Sequence, residues 1–140
     1  MDAITEALID IRPKSLDDIV RKNRDKLRIY ASTEEELRAL HAPVPIQAAT
    51  GVISHWSFIT LFFAESKKPV IHLHGYNAAE RSSWMTSIVV ATQGNVVATR
   101  TGSLYILEGE RSEEQDLAYI CATLNMWGVG QGFGVPALIF

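Results

Sequence analysis

The chain has a single cysteine, Cys121, so it can form no disulfide within itself. Intramolecular disulfides are typical of oxidising compartments, whereas a lone thiol suits a reducing cytoplasm. Residues 1–6, MDAITE, also lack the basic and apolar start of a secretory signal peptide. We therefore expect a cytoplasmic protein.

Long apolar runs and a dominant charge sign are missing as well. The most apolar stretch, residues 53–64, contains His55 and is shorter than the roughly 20 residues that a membrane-spanning helix needs. The net charge of −3 provides no general attraction to nucleic acid or anionic lipid. With 140 residues, 47% hydrophobic and 21% charged, the composition predicts one globular domain over residues 1–140 and no membrane partner.

Each catalytic motif that the sequence suggests is incomplete. Residues 70–77, VIHLHGYN, have the strand and His-Gly-Tyr pattern with which an α/β-hydrolase begins, but no Gly-x-Ser-x-Gly exists and no histidine follows His74. The glycine-rich residues 128–134 lack the Lys-Ser/Thr pair of a phosphate loop and follow a predicted helix. Cys121 lies on the apolar face of that helix, which favours a structural role. We expect no catalytic residues, no cofactor and no enzyme activity.

Two histidines could bind a metal ion. His72 and His74 alternate along a predicted strand and therefore point to the same face. A zinc or iron site needs a third ligand, and the nearest candidate, His55, has the opposite parity on its own strand. No acidic residue lies between Glu65 and Glu80. We expect no bound metal, and a small metal-dependent enzyme using His72 and His74 is kept as an alternative.

Helix signals dominate residues 1–42. We predict a helix over residues 3–10, a second helix capped by Ser15, and a third that the Ser32–Glu35 capping box opens and Pro43 ends. The second helix would carry a loose apolar stripe of Ile19, Val20, Leu27 and Tyr30.

The hydrophobic period changes to two over residues 52–107. Strands are predicted at residues 56–63, 70–74, 86–92, 96–101 and 103–107. Gly94 and Asn95 fit a two-residue hairpin turn, whereas Gly102 is expected to kink one continuous strand. These strands predict a bent antiparallel sheet or small open β-barrel of about five strands.

The last predicted element is a helix over residues 112–127, with Ser112 as N-cap and Gly128 just after its end. It would close the fold by packing one apolar face on the sheet, formed by Leu117, Ile120, Cys121 and Leu124. The predicted class is α+β, with N-terminal helices, the bent sheet or barrel, and this C-terminal helix.

The sheet carries more aromatic surface than one face can bury. If Ile59, Leu61, Phe63, Ile71 and Leu73 face the core, the opposite face of the same hairpin holds Trp56, Phe58, His72, His74 and Tyr76. Such residues suit a protein contact surface, unless the N-terminal helices cover them. We therefore expect a non-catalytic regulator or inhibitor, of the kind encoded by phages and mobile elements, that binds an unidentified protein or a second copy of itself.

One basic cluster supports an alternative function, nucleic-acid-binding regulation. Its members lie within residues 21–28 and are Arg21, Lys22, Arg24, Lys26 and Arg28. On a helix these positions would surround the axis and could contact phosphates. The acidic balance of the whole chain makes this partner class the less favoured one.

Overall fold

The computed structural model describes residues 13–20, 23–130 and 132–136. A 3-10 helix, Asp17–Val20, precedes strand β1, Leu27–Ala31, and helix α1, Glu34–Ala39. Five strands and a helix follow: β2 (Gly51–Phe63), β3 (Pro69–Asn77), β4 (Ser82–Gln93), β5 (Val96–Thr99), β6 (Leu104–Glu108) and α2 (Leu117–Met126). The helix predicted over residues 3–10 lies outside the described residues.

Strands β2 to β6 form a closed barrel. Consecutive strands pair antiparallel, and residues 51–54 of β2 pair in parallel with residues 105–108 of β6. The second half of β2, residues 59–63, pairs instead with β1. A bulge between Ser54 and Ser57 bends β2, and His55 has a φ of 49° there. The predicted α+β class with a small barrel is confirmed. The sheet was expected to be antiparallel throughout and the barrel to be open, whereas the parallel pair of β2 and β6 closes it.

The β2–β3 hairpin is buried on both faces. Inside the barrel lies one apolar cluster: Ile53, Phe58, Ile71, Leu73, Val89, Val97 and Tyr105. The outer face is covered by the 3-10 helix and α2, which bury Ile59 and Leu61 in a second cluster. The prediction that Leu73 shares a face with Ile59 is wrong, because Leu73 lies opposite Phe58 in the register and directly opposed residues point the same way.

Helix α2 packs as its apolar face predicts, since Ile120, Cys121 and Leu124 are fully buried. It begins later than predicted, with Asp116 as N-cap accepting a hydrogen bond from Tyr119 N–H. Ser112 instead forms a turn, in which its hydroxyl accepts from Glu114 N–H, and its own N–H donates to Trp56 O. Beyond the helix end, Gly128 has the expected left-handed backbone, with φ of 81°.

The N-terminal part is less helical than predicted. Residues 27–31 form β1 rather than part of a helix, and Leu27 and Ile29 are buried on one face while Arg28 is exposed. The capping box of α1 is Thr33 with Glu36, one residue after the predicted pair. Ser32 is unavailable as a cap because its N–H donates to Phe58 O and its hydroxyl is hydrogen-bonded to Thr60.

The two predicted glycine positions have different outcomes. Gly94, with φ of 60°, and Asn95 form the expected two-residue turn between Gln93 and Val96. Gly102 turns the chain instead of kinking a strand, because β5 ends at Thr99 and the N–H of Thr99 donates to Ser103 O across the loop. Two residues expected to be in the strand, Arg100 and Thr101, are therefore loop residues.

Candidate functional site

His74 is a structural residue that holds the start of α2. Its Nδ1–H donates to Trp84 O at 2.9 Å, and its Nε2 accepts from Asp116 N–H at 3.1 Å. Both ring nitrogens are therefore used by the neutral imidazole. Burial lowers the pKa of His74, against smaller raising effects of the Trp84 hydrogen bond and the Asp116 carboxylate.

His72 also lies under helix α2, and it borders a hollow on the protein surface. Its Nδ1–H donates to Thr86 O at 2.8 Å, and its ring lies 4.8 Å from the ring of Trp127. Burial is the main cause that lowers the pKa of His72. The hollow, about 380 Å³, is lined also by the hydroxyls of Ser87 and Thr101, which bond each other at 2.9 Å rather than the imidazole. This arrangement therefore lacks the base-to-hydroxyl hydrogen bond of an activated nucleophile.

The five residues predicted as one contact face do not share a face. His72 and His74 lie under α2, whereas Phe58 is buried in the barrel and Trp56 packs against the same interior cluster. Only Tyr76 is substantially exposed, at 41%. The reason is that both faces of the hairpin are covered, so its alternating pattern does not separate an inside from an outside.

Gly75, part of the pattern suggestive of a hydrolase, has a packing explanation. A Cβ at this position would lie 2.5 Å from Ile53 Cγ2 and 2.7 Å from Ser54 O. Glycine thus allows β3 to approach the bulged part of β2. The residue lies within strand β3 rather than in an oxyanion loop.

The members of the basic cluster that the structure describes are not on a helix. Residues 24–26 form a turn and Arg28 lies on β1, while Arg21 and Lys22 are outside the described residues. Arg24 pairs with Asp17 at 2.9 Å, and the Arg28 guanidinium lies 5.5 Å from the ring centroid of Tyr30. Of the predicted charges that the structure describes, only Lys26 is therefore not engaged with a neighbour through its side chain, and no basic face results.

Among the described residues, strand β1 is paired on one side only. The hydrogen bonds Ala64 N–H to Lys26 O and Ser32 N–H to Phe58 O show that even-numbered residues direct their backbone groups toward β2. The N–H and C=O of Ile29 and Ala31 must therefore point away from β2. No described residue hydrogen-bonds to these groups, but Ile29 is fully buried and Ala31 is exposed, so the part of this edge that another strand can reach begins at Ala31.

This edge borders an open groove, which we call the edge groove. A cavity of about 550 Å³ lies between the edge and the segment before α2, and its lining includes Ile29, Ala31, Glu113 and Leu117. A second cavity of about 200 Å³, the Ser57 pocket, continues from it. Three residues line both cavities: Ala31, Glu113 and Gln115.

The Ser57 pocket contains an unsatisfied polar atom. Ser57 is 3% exposed, and its Oγ has no hydrogen-bond partner among the described residues. The hydroxyls of Ser32, which lines the same pocket, and of Thr60 bond each other at 2.7 Å, and Thr60 also donates to Glu36. A buried polar group without a partner in the protein is uncommon.

The sequence contains a signal for strand β1, which borders the edge groove, but the helical spacing of the apolar residues before it favours a helix instead. Leu27, Arg28 and Ile29 already alternate apolar and charged, which is the strand pattern. Nothing local to Ser57 indicated an unpartnered hydroxyl, since its surroundings come from α1, β1 and the segment before α2.

Other chemistry is limited in the part of the chain that the structure describes. No three His, Cys, Asp or Glu side chains there are grouped so that they could hold a metal ion. Burial raises the pKa of the Cys121 thiol to about 11, which disfavours the reactive thiolate. The same residues contain no helix of the length and apolarity that crossing a bilayer requires.

Comparison with protein-family models, with curated proteins and with solved structures finds no match to this chain.

Proposed function

We propose that this chain is a non-catalytic, cytoplasmic protein-binding domain, a regulator or inhibitor that captures an extended segment of another protein along β1. The observation that carries the proposal is the unpaired edge of β1 beside an open groove. Strand addition to such an edge is a common mode of peptide recognition, in which backbone hydrogen bonds supply much of the affinity.

The proposal relocates the binding surface from the hairpin to the edge groove. Four of the five hairpin residues first considered are buried or half-buried and already in contact with the barrel or α2. Ala31 is exposed and instead offers its backbone N–H and C=O to a partner, whereas Ile29 is fully buried.

Substitution of Ala31 tests the proposal with a control at the same position. Ala31→Pro removes one groove-facing N–H without removing a β1–β2 hydrogen bond, because that N–H points away from β2. Ala31→Ser keeps the N–H. Phage-displayed random peptides of twelve residues are selected on the immobilised protein, and binders are retested on both variants.

We expect Ala31→Pro to lose the selected peptides and Ala31→Ser to keep them. Hydrogen exchange supplies a second readout, because a bound strand should protect the amide of the exposed Ala31 from exchange. Selection of no peptides, or equal capture by both variants, would show that the proposal is wrong.

A further inference from the structure

We infer that the segment bound in the edge groove carries a basic side chain, whose ammonium or guanidinium enters the Ser57 pocket. This inference rests on the proposed function and adds the chemistry of the partner. Two independent observations support it: the unsatisfied Ser57 hydroxyl, and the presence in the groove of Glu113 and Glu114, which form no ion pair with a described residue.

The geometry first requires that a partner side chain can reach the pocket. Ala31 belongs to the free edge and also lines the Ser57 pocket. A strand added along β1 would therefore pass the mouth of this pocket where it pairs with Ala31. Alternate side chains of that strand point to the same face, so one can enter the pocket while its backbone continues along the groove.

The charges decide which side chain is favoured. Two acidic residues at the groove are already neutralised, Asp17 by Arg24 and Glu34 by Arg111, at 2.9 and 2.8 Å. Glu113 and Glu114 form no ion pair with a described residue, and only Lys14 brings a further positive charge to the lining. A cation is therefore better accommodated than an anion beside Glu113.

The Ser57 hydroxyl matches the same ligand. Its oxygen is closed off from water in the free protein, so a lysine or arginine side chain must displace the neighbouring side chains before its N–H groups can donate to the lone pairs of that oxygen. A charged donor to a neutral hydroxyl makes a stronger hydrogen bond than a neutral donor does. Phe58 and Leu37 line the same pocket and would contact the aliphatic part of the entering side chain.

Three synthetic peptides test the inference. Each has nine residues of alternating valine and threonine, with the residue at one central position being lysine, norleucine or glutamate. Titration calorimetry measures their affinities for the full chain and for Ser57→Ala and Glu113→Gln. Ser66→Ala and Glu65→Gln are matched controls, because these exposed residues do not line either cavity.

We expect the lysine peptide to bind about tenfold more tightly than the norleucine peptide, the size of one charge-assisted hydrogen bond. Ser57→Ala and Glu113→Gln should each reduce this preference to roughly threefold or less, whereas the two controls should retain it. Added salt should weaken the preference as well, since it screens the charge contribution.

The possible failures are distinguishable. Equal affinity of the lysine and norleucine peptides, with binding still abolished by Ala31→Pro, would overturn the inference and leave the proposed function in place. Preference for the glutamate peptide would overturn it too and would indicate that Arg111 and Lys14 dominate the site. If no peptide binds, and random selection also fails, both proposals are wrong.

Discussion

In the barrel, strands β2 to β6 are paired on both sides, whereas β1 is paired only with β2 among the described residues. Closure removes the edges that could pair with another chain, and it surrounds a dense apolar interior. The edge of β1 instead borders cavities with polar and charged linings. Stability is therefore expected to depend on the barrel and its helical layer, and recognition on the β1 edge.

Substitutions in helix α2 are expected to change the free energy of unfolding most, and they test whether this helix contributes to stability. Leu124 is fully buried in the layer between α2 and the barrel, whereas Met126 on the same helix is 77% exposed. Leu124→Ala should lower the free energy of unfolding by about 2–5 kcal/mol, and Met126→Ala by less than about 0.5 kcal/mol. Denaturant titration measures both. Similar small losses would mean that α2 contributes little to stability.

The second prediction concerns pH and the two histidines under α2. Burial lowers the pKa of His72 and His74 below the ordinary 6.5, so the unfolded chain takes up protons at a higher pH than the folded one does. Stability is thus fully present above about 6.5 and is lost as pH falls from there through the lowered folded values. The slope should reach up to about 1.4 kcal/mol per pH unit for each histidine.

Two variants separate this effect from other titrations. His74→Gln should reduce the slope, because it removes one buried imidazole while it retains an acceptor for Asp116 N–H. The exposed His41→Gln is the control and should keep the slope. Equal slopes in both variants would assign the pH dependence to groups outside the helical layer.

The barrel and strand β1 also differ in how well the sequence predicts them. The closing helix, the Gly94 turn and the barrel class were predictable because helical apolar spacing, turn chemistry and period-two runs agreed with the final packing, although the N-cap of the helix is Asp116 and not Ser112. Strand β1 was not, since its five residues were read as the continuation of a helical stripe, and only pairing with β2 determines them as a strand. The parallel β2–β6 contact joins residues far apart in the chain and has no local signal.

The candidate site was the least predictable part for a related reason. Hydrophobic alternation identifies a binding face only when one face of a hairpin is free, and the helical layer covers the outer face of β2 and β3. Ser57 and Ala31 are small residues whose importance depends on neighbours from other elements. Such a site becomes visible once the strand register and the unpaired backbone groups are known.

The smallest predicted effect compares two hydroxyls on β2. The Thr60 hydroxyl is bonded to Ser32 and Glu36, whereas the buried Ser57 hydroxyl has no partner in the described part of the chain. Thr60→Val should therefore lower the free energy of unfolding by about 1–2 kcal/mol, because it leaves Ser32 and Glu36 each with one bond fewer. Ser57→Ala should raise the free energy of unfolding by up to about 1 kcal/mol, since it removes a desolvated polar group that gains nothing in return.

The signs of these two changes, measured by denaturant titration of the unliganded protein, decide whether the Ser57 pocket differs from the rest of the sheet. A loss for Ser57→Ala as large as that for Thr60→Val would show that the hydroxyl is already satisfied in the free protein. In that case the pocket would have no unmet hydrogen bond for a partner to satisfy. A gain in stability, together with a weaker preference for the lysine peptide, is the combination expected of a residue kept for binding at some cost to stability.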